Sequence, residues 1–532
     1  MSSKVIPTKL ISIIMFCMVC VTFIYSRLRF MDIPLDRDEG SYLYMGFCFF
    51  KGYIPYVDFY EIKPPGIFLI YGLFHLIFGY SNFLLHLGLL LTQLCTAWLI
   101  YRVVVSLFHQ AEQGLLAASI YFVFNLYPNF MSFGILSEHF FVLFLLLSMD
   151  FLIKTNLQQG YKNIFLSGLF FGVAAMIRQH AIFFVVPMLV FILYLTRKNN
   201  KIWHKNLLYF IFGSIFTVFL LIGYVSLRGG FDEMIYWVYT HPSEKYITRV
   251  TWAEGQKYLY NYINHLFIEK HYPMLVFLGF GLILCVKDLL SKEHGWKNLV
   301  ILLFFIGAVM TVFPGNRFYG HYWLMLFPFL AIVAGRSLVQ ISHKGYRLLT
   351  VVCAMVLFIN QFYLNGDLYF KIPADRIYQR LYKDNPNYSL KKITGQLKRK
   401  LKKEDKIFVF GSEPQVYYET KKILALPHVF IGFLNMPSDK ALEDQKSTIS
   451  YLEQEKPEFI VHLQNSISLG MKENSHQNLY QWIFSFENQY YEKIALADIN
   501  DQNMATYYFD HEANKTPSTT NYIILYQLKK DR

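Results

Sequence analysis

Apolar residues fill the first two thirds of the chain in long blocks separated by short polar stretches, and near Gly366 the pattern turns mixed. The blocks cover 10–25, 83–107, 114–131, 135–153, 164–178, 181–196, 207–227, 273–289, 299–313, 322–341 and 347–364. About 20 apolar helical residues cross a hydrocarbon core of ~30 Å, so these blocks predict about eleven spanning helices. The first follows Lys4 and Lys9 and lacks a small-x-small cleavage pattern behind it, which predicts an uncleaved anchor with a cytoplasmic N-terminus.

One further apolar run, 64–79, decides the threading. At 1.5 Å per residue its helix reaches only about 24 Å, and we read it as re-entrant or interfacial. Arg102, Lys154 with Lys162, Arg197/Lys198/Lys201/Lys205, Lys287/Lys292/Lys297 and Arg336/Lys344/Arg347 then all face the cytoplasm, as the positive-inside rule requires. Counting the run as a span turns every one of these clusters outward. On the chosen threading the outer side receives the loop 28–63 with Ser41, the turn 176–180, the aromatic loop 229–272, the segment 314–321 and the whole C-terminus with Ser412.

Beyond Gly366 short β-type runs alternate with helical patterns. Runs 407–410, 458–462, 506–509 and 522–526 read as strands of a small α/β domain. The expected organisation is a membrane domain over 1–365 and an extracytoplasmic α/β domain over 366–532. The stretch 391–403 carries seven basic residues and reads as a solvated helix face. Gly411-Ser412-Glu413-Pro414 reads as a helix start with Ser412 as the cap and Pro414 in the first turn.

Composition supports the membrane assignment. Of the 532 residues 54% are apolar and 16% charged, whereas charged residues approach about a quarter of soluble domains. Mean hydropathy is +0.30 despite the polar final third. The net charge of +13 does not point to nucleic acid, because the cations sit between apolar runs. The six cysteines form no disulfide framework or zinc spacing; five lie in apolar runs, and Cys48 is expected in a loop. The fold class is therefore an α-helical polytopic membrane protein with a C-terminal soluble α/β domain.

The charges that need a reason lie on the outer side. Asp32, Asp36, Arg37, Asp38 and Glu39 open the first loop at membrane level among aromatics, where a carboxylate loses water unless partnered. Asp36 and Asp38 share the spacing of a metal-binding DxD, which leaves a divalent metal open and no cofactor required. In Glu61-Ile62-Lys63-Pro64-Pro65-Gly66 the proline pair forces Lys63 into an extended conformation, in which Glu61 and Lys63 point the same way. A snorkelling lysine with its counter-ion would look the same. Arg178 stands at a helix end, Glu138 near the start of another helix, and Arg317, His321 and Tyr322 share one short segment. An arginine in lipid costs about 2.5–3.5 kcal/mol on insertion scales, so its retention calls for a function. Acids, lysine, arginines and a histidine at one membrane face suit a reaction in which a lipid-borne phosphate leaves and a hydroxyl attacks.

Arg37-Asp38-Glu39-Gly40-Ser41-Tyr42, Glu61-x-Lys63-Pro64-Pro65-Gly66 and His321-Tyr322 with Pro328 resemble the GT-C integral-membrane glycosyltransferases. The resemblance is to glycosyltransferase family 39, the protein-mannosyltransferase and aminoarabinose-transferase branch, in a bacterial form. It covers about 9–365 in layout, and 407–413 with Tyr417 resembles the start of the outer domain in such proteins. It implies transfer of a sugar from a polyprenyl-phosphate donor to an acceptor hydroxyl on the outer side of a cell membrane, with inversion. The acceptor, whether glycan, lipid or protein, is left open. By position the resemblance makes Asp38 the base with Glu39 beside it, and Lys63, Arg178 and Arg317 the donor-phosphate ligands. Glu61, Glu138, His321 and Tyr322 would line the substrate site. The Arg178-Gln179-His180 turn departs from the commoner lysine-containing turn. The rival reading is a flippase of lipid-linked sugars, which needs the same cations. Transporters commonly carry repeats and mid-depth sites, whereas here the charges gather at one face.

Overall fold

The computed structural model describes residues 8–155, 161–196, 203–243, 250–264, 272–291, 294–338, 344–382 and 385–529. Arg197, Lys198, Lys201 and Lys292 of the basic clusters lie outside them. The apolar blocks are helical: Thr8–Leu28, Asn82–Phe108, Ala111–Leu126, Ser137–Thr155, Tyr161–Ile177, Trp203–Leu227, Tyr272–Lys287, Gly295–Met310 and Lys344–Leu364. Two expected spans are interrupted. Block 181–196 opens with a 3-10 turn, Gln179–Phe184, before Val185–Thr196, and block 322–341 opens with Gly320–Met325 before Phe327–Gly335. The run 64–79 forms a helix of 13 residues, Gly66–Phe78, about 20 Å long. Part of the aromatic loop is helical as well, at Phe231–Ile235 and Trp252–Tyr262.

The chain forms two compact units. The first comprises Met1–Met31, Ile62–Ile67 and His86–Pro373; the second comprises Asp32–Glu61, Phe68–Leu85 and Ala374–Arg532. Within the first, Ser137–Thr155 packs on Tyr161–Ile177, and that helix packs on Trp203–Leu227. Lipid offers no hydrophobic gain for such pairing, so polar contacts between helices matter. Ser148 Oγ donates to Ser167 O at 2.7 Å and Ser167 Oγ to Ser148 O at 2.8 Å. Ser214 Oγ reaches Gly168 O at 3.1 Å.

Buried cations of this unit are met by specific partners. Arg27 Nη2 donates to Asn125 O and, at 2.7 Å, to Ser132 Oγ. Arg336, fully buried, bonds Asp288 at 3.2 Å, Asn298 at 3.1 Å and Gln113 at 3.3 Å, and its guanidinium stacks 3.7 Å from the Phe108 ring centroid. Arg336, which the positive-inside pattern places among the loop cations, is an internal group neutralised by Asp288. Arg102 and Lys154 both pair with Asp150, at 3.1 and 2.8 Å.

The second unit contains a five-stranded sheet in the order β1-β2-β5-β3-β4, with β1 Ile407–Phe410, β2 Phe459–Gln464, β3 Tyr491–Ile499, β4 Ala505–Phe509 and β5 Tyr522–Leu528. β1 and β2 are parallel, and the other neighbours antiparallel. Four strands match the sequence reading within a few residues. β3 escaped it, since Tyr491-Glu492-Lys493 opens the strand with two charges that a helix tolerates equally. The basic stretch lies on the helix Asn387–Lys400, which buries Leu390, Ile393 and Leu397 against β3 and β5 while Lys398 and Lys400 pair outward with Glu419 and Asp510. That is the solvated face expected.

Two local expectations fail. Cys48 sits buried inside the helix Arg37–Phe50, not in a loop. Ser412 is not a helix cap: Pro414 occupies the cap of Gln415–Thr420, and Ser412 Oγ instead donates to Ser468 O at 2.5 Å.

Ser41 and Ser412 are both buried, so sidedness is better read at Lys51, Glu404 and Leu290, which are exposed. With single cysteines in a cysteine-free background, an impermeant thiol reagent should label Lys51→Cys and Glu404→Cys in intact cells and spare Leu290→Cys. Labelling at Lys51 with protection at Glu404 would defeat the threading.

Candidate active site

In the first unit the helix Ser137–Thr155 carries Glu138 in its first turn, where the helix dipole favours an anion. The helix Tyr161–Ile177 stops immediately before Arg178, whose backbone is extended (φ −148°, ψ 136°) and caps the 3-10 turn that follows. Both side chains are buried. Arg178 forms an ion pair with Glu138, and its Nη1 donates to Ser137 Oγ at 2.8 Å. His321 Nε2 stands 3.9 Å from Glu138 Oε1, and the Tyr322 ring centroid lies 5.7 Å from the Arg178 guanidinium. Glu138 thus sits in the field of Arg178, His321 and Lys63.

Lys63 is brought to this group by its backbone. Gln179 Nε2 donates to Ile62 O at 2.8 Å and to Val238 O at 3.2 Å. A Cβ on Gly66 would stand 2.6 Å from Met176 O, so only glycine lets the Lys-Pro-Pro-Gly turn lie against the end of the Arg178 helix. The segment with Arg317 is strained: Asn316 and Phe318 hold φ of 54° and 48°. For a bulky residue this backbone costs about 1–3 kcal/mol and persists only where packing fixes it. Phe318 is fully buried, edge-on to Phe313 at 5.4 Å. Arg317 itself turns to the Tyr319 hydroxyl at 3.3 Å.

The acids belong to the second unit. Asp36 caps the helix Arg37–Phe50, and the Glu39 carboxylate accepts the Asp36 backbone N–H at 2.6 Å. Asp36 Oδ1 accepts from Asn387 Nδ2 at 2.8 Å. Burial first, and then the charges of Asp38 and Glu39, push the Asp36 carboxyl up to about 7. Asp38, on the first turn, is half-buried, and among the described residues its carboxylate has no hydrogen-bond or ion-pair partner. Glu61 is buried near the end of its segment. Among the described residues no three His, Cys, Asp or Glu side chains converge as a metal site.

The expected residues therefore fall into two sets, Lys63, Glu138, Arg178, His321 and Tyr322 with Arg317 nearby in sequence, and Asp38, Glu39 and Glu61. Sequence reasoning missed Ser137, Gln179, Asn387 and His180. His180 adjoins Arg178 and Glu138 electrostatically, and neither of its solvent-excluded ring nitrogens has a hydrogen-bond partner among the described residues. Gln179 and His180 were legible only as neighbours of Arg178. Asn387 lies in a polar stretch that carries no motif.

A family model described as dolichyl-phosphate-mannose-protein mannosyltransferase matches residues 62–223. No curated protein matches the sequence. The fold is that of ArnT from Cupriavidus metallidurans. The structure bound to undecaprenyl phosphate is 12% identical and superposes with a TM-score of 0.57 over 97% of each chain. The apo structure is 13% identical, with the same score and coverage. The chain thus resembles the GT-C membrane glycosyltransferases and is a multi-pass membrane protein of that fold, with an α/β C-terminal part.

The raised Asp36 carboxyl has a consequence for stability. The unfolded chain releases this proton near pH 3.9, so the folded form is favoured below that value and loses the advantage as pH climbs toward about 7. Asp36→Asn removes the term. The melting temperature of the variant relative to wild type, measured in detergent, should rise between about pH 5 and about pH 8. A difference that stays constant over that range would show that Asp36 is ionised throughout.

Proposed function

We propose that the protein is an inverting membrane glycosyltransferase that moves a sugar from a polyprenyl-phosphate donor to an acceptor hydroxyl on the outer side of the membrane. The observation that carries this reading is the match of the mannosyltransferase family model to 62–223, the stretch that gathers Lys63, Glu138 and Arg178 around one buried ion pair. The ArnT fold, solved in one case with undecaprenyl phosphate bound, supports the donor class.

In this reading the acceptor oxygen attacks the anomeric carbon as the bond from that carbon to the phosphate oxygen breaks. Asp38 takes the hydroxyl proton, and a single displacement inverts the centre. The departing phosphate gains negative charge, which the Lys63 ammonium and the Arg178 guanidinium stabilise, with Arg317 as a third cation. Glu138 holds Arg178 in one orientation, and His321 and Tyr322 line the same side. Glu39 serves the geometry of the helix start through its bond to the Asp36 N–H, so Glu39→Gln costs less than loss of Asp38. Glu61 lines the substrate site.

The test is to incubate purified protein with a panel of polyprenyl-phosphate sugars and follow release of free polyprenyl phosphate. Asp38→Asn should lower turnover about 10²–10⁴-fold, the usual contribution of a general base, while donor binding changes little. Near-wild-type transfer by this variant would remove the base assignment. No transfer by wild type across the panel would favour the flippase.

Lys63→Met keeps the apolar stem and deletes the ammonium. Donor binding, measured by displacement of undecaprenyl phosphate, should weaken by on the order of 1.5–3 kcal/mol, and Lys63→Arg should recover it only in part. Unchanged affinity would return Lys63 to the role of an interfacial snorkelling residue.

A further inference from the structure

The start of the helix Arg37–Phe50 is held at successive residues by the part of the second unit that follows Ala374. Asp36 Oδ1 accepts from Asn387 Nδ2 at 2.8 Å and Asn385 Nδ2 at 3.4 Å. Asn387 is fixed in turn by Gln415, whose Nε2 donates to Asn387 Oδ1 at 2.8 Å. Arg37 Nη2 pairs with Glu413 Oε1 at 2.7 Å, and Arg37 Nη1 reaches Ile467 O at 3.4 Å. The other Glu413 oxygen accepts from Ser468 Oγ at 2.5 Å, and the same Ser468 Oγ accepts the Ser412 N–H at 3.0 Å. Glu413 is fully buried, while the Arg37 side chain keeps 18% of its surface in solvent. At Gly40 the backbones approach so closely that a Cβ would lie 2.3 Å from Gln415 Cβ. Asp38 is the member of this turn with no such anchor.

A carboxylate buried without solvent is costly unless its charge is met. Placing Glu413 where, among the described residues, Arg37 and the Ser468 hydroxyl satisfy its carboxylate makes the turn β1–Gln415 and the turn Asp36–Gly40 settle together. The pattern is one-sided: every residue around Asp38 is pinned, and Asp38 is left available. Packing alone does not require that, since Tyr42, Leu43 and Tyr44 already bury the next turn.

We propose that Glu413 and Asn387 are positioning residues that set the Asp38 carboxylate through Arg37 and Asp36, so that the α/β part of the chain is a structural component of the catalytic apparatus. The inference rests on Asp38 acting as the base. A base must stand within hydrogen-bond reach of the proton it takes, and a misplacement of about 1 Å costs roughly a hundredfold. Glu413→Gln retains the volume and an acceptor oxygen but removes the charge that fixes the guanidinium fork. Arg37→Gln tests the same contact from the other side at a greater cost to stability, because it leaves the buried Glu413 carboxylate unpaired, and Arg37→Lys keeps the charge without the fork.

The experiment uses the full chain in nanodiscs and two readouts. One is hydrogen exchange of peptides covering 37–45. The other is transfer kinetics with the polyprenyl-phosphate sugar that the wild type uses. Glu413→Gln and Arg37→Gln should speed exchange in 37–45 and lower kcat roughly ten- to a hundredfold, with donor KM within about twofold and both variants still folded by circular dichroism at the assay temperature. Arg37→Lys should fall between them and wild type. In an Asp38→Asn background Glu413→Gln should lower the residual rate by much less, because the group it positions is already gone. Unchanged exchange in 37–45, or faster exchange with unchanged kcat, overturns the proposal. A fall in kcat as large in the Asp38→Asn background as in wild type also overturns it. If the wild type transfers no sugar while Glu413→Gln still loosens 37–45, the glycosyltransferase reading falls and the tether between Arg37 and Glu413 stands.

Discussion

An arginine inside an apolar helical unit is costly unless acceptors meet its guanidinium, and three positions of the first unit answer that demand. Arg27, Arg178 and Arg336 are each buried, and each is met by residues from distant points in the chain. Removing one partner of a buried pair strands a charge and costs about 3–5 kcal/mol, so these contacts fix helix order and depth more tightly than apolar packing in lipid could. Arg178 differs from the other two. It sits where a helix has just ended, beside a proline-constrained lysine segment and a histidine, and its partner is a helix N-terminal glutamate. Arg336 is closed in by four side chains and has no such surroundings.

The second unit follows a different logic, that of a soluble α/β sheet whose polar groups find hydrogen bonds in its own turns. The first loop belongs to this unit in spite of its distance in sequence. Its acidic turn is bonded to Asn387 and Glu413, and Tyr44 accepts the Leu424 N–H at 3.0 Å one turn deeper. Asp36 illustrates the effect. In the sequence it is one of several carboxylates with DxD spacing; in the fold it is a buried cap that holds its proton to about pH 7.

Strain marks one more place where ordinary folding preferences are set aside. Asn316 and Phe318 both take left-handed backbone within the segment that carries Arg317 and leads into His321. The buried Phe318 ring packs at the centre of that segment, and His321 a few residues on stands 3.9 Å from Glu138. Such outliers concentrate at functional sites because nothing else repays their cost.

Much was decided by the sequence alone. The apolar blocks set the helices, because burial in lipid follows hydropathy and length with little help from neighbours, and period-two runs set four of the five strands. Asp38, Glu39, Lys63, Glu138 and Arg178 stood out because charge at membrane level is expensive and therefore informative. Tertiary structure alone decided the partners. That Arg178 answers Glu138, that Gln179 clamps the carbonyl before Lys63, and that Glu413 belongs to Arg37 depend on contacts between residues up to several hundred positions apart. Local pattern holds no record of them. The interrupted blocks at Gln179 and Gly320, the burial of Cys48 and the false cap at Ser412 were not legible in local pattern either. At Gln179 and Ser412 a side-chain bond to a distant segment, Ile62 O and Ser468 O, takes the place of the local preference that the sequence could express.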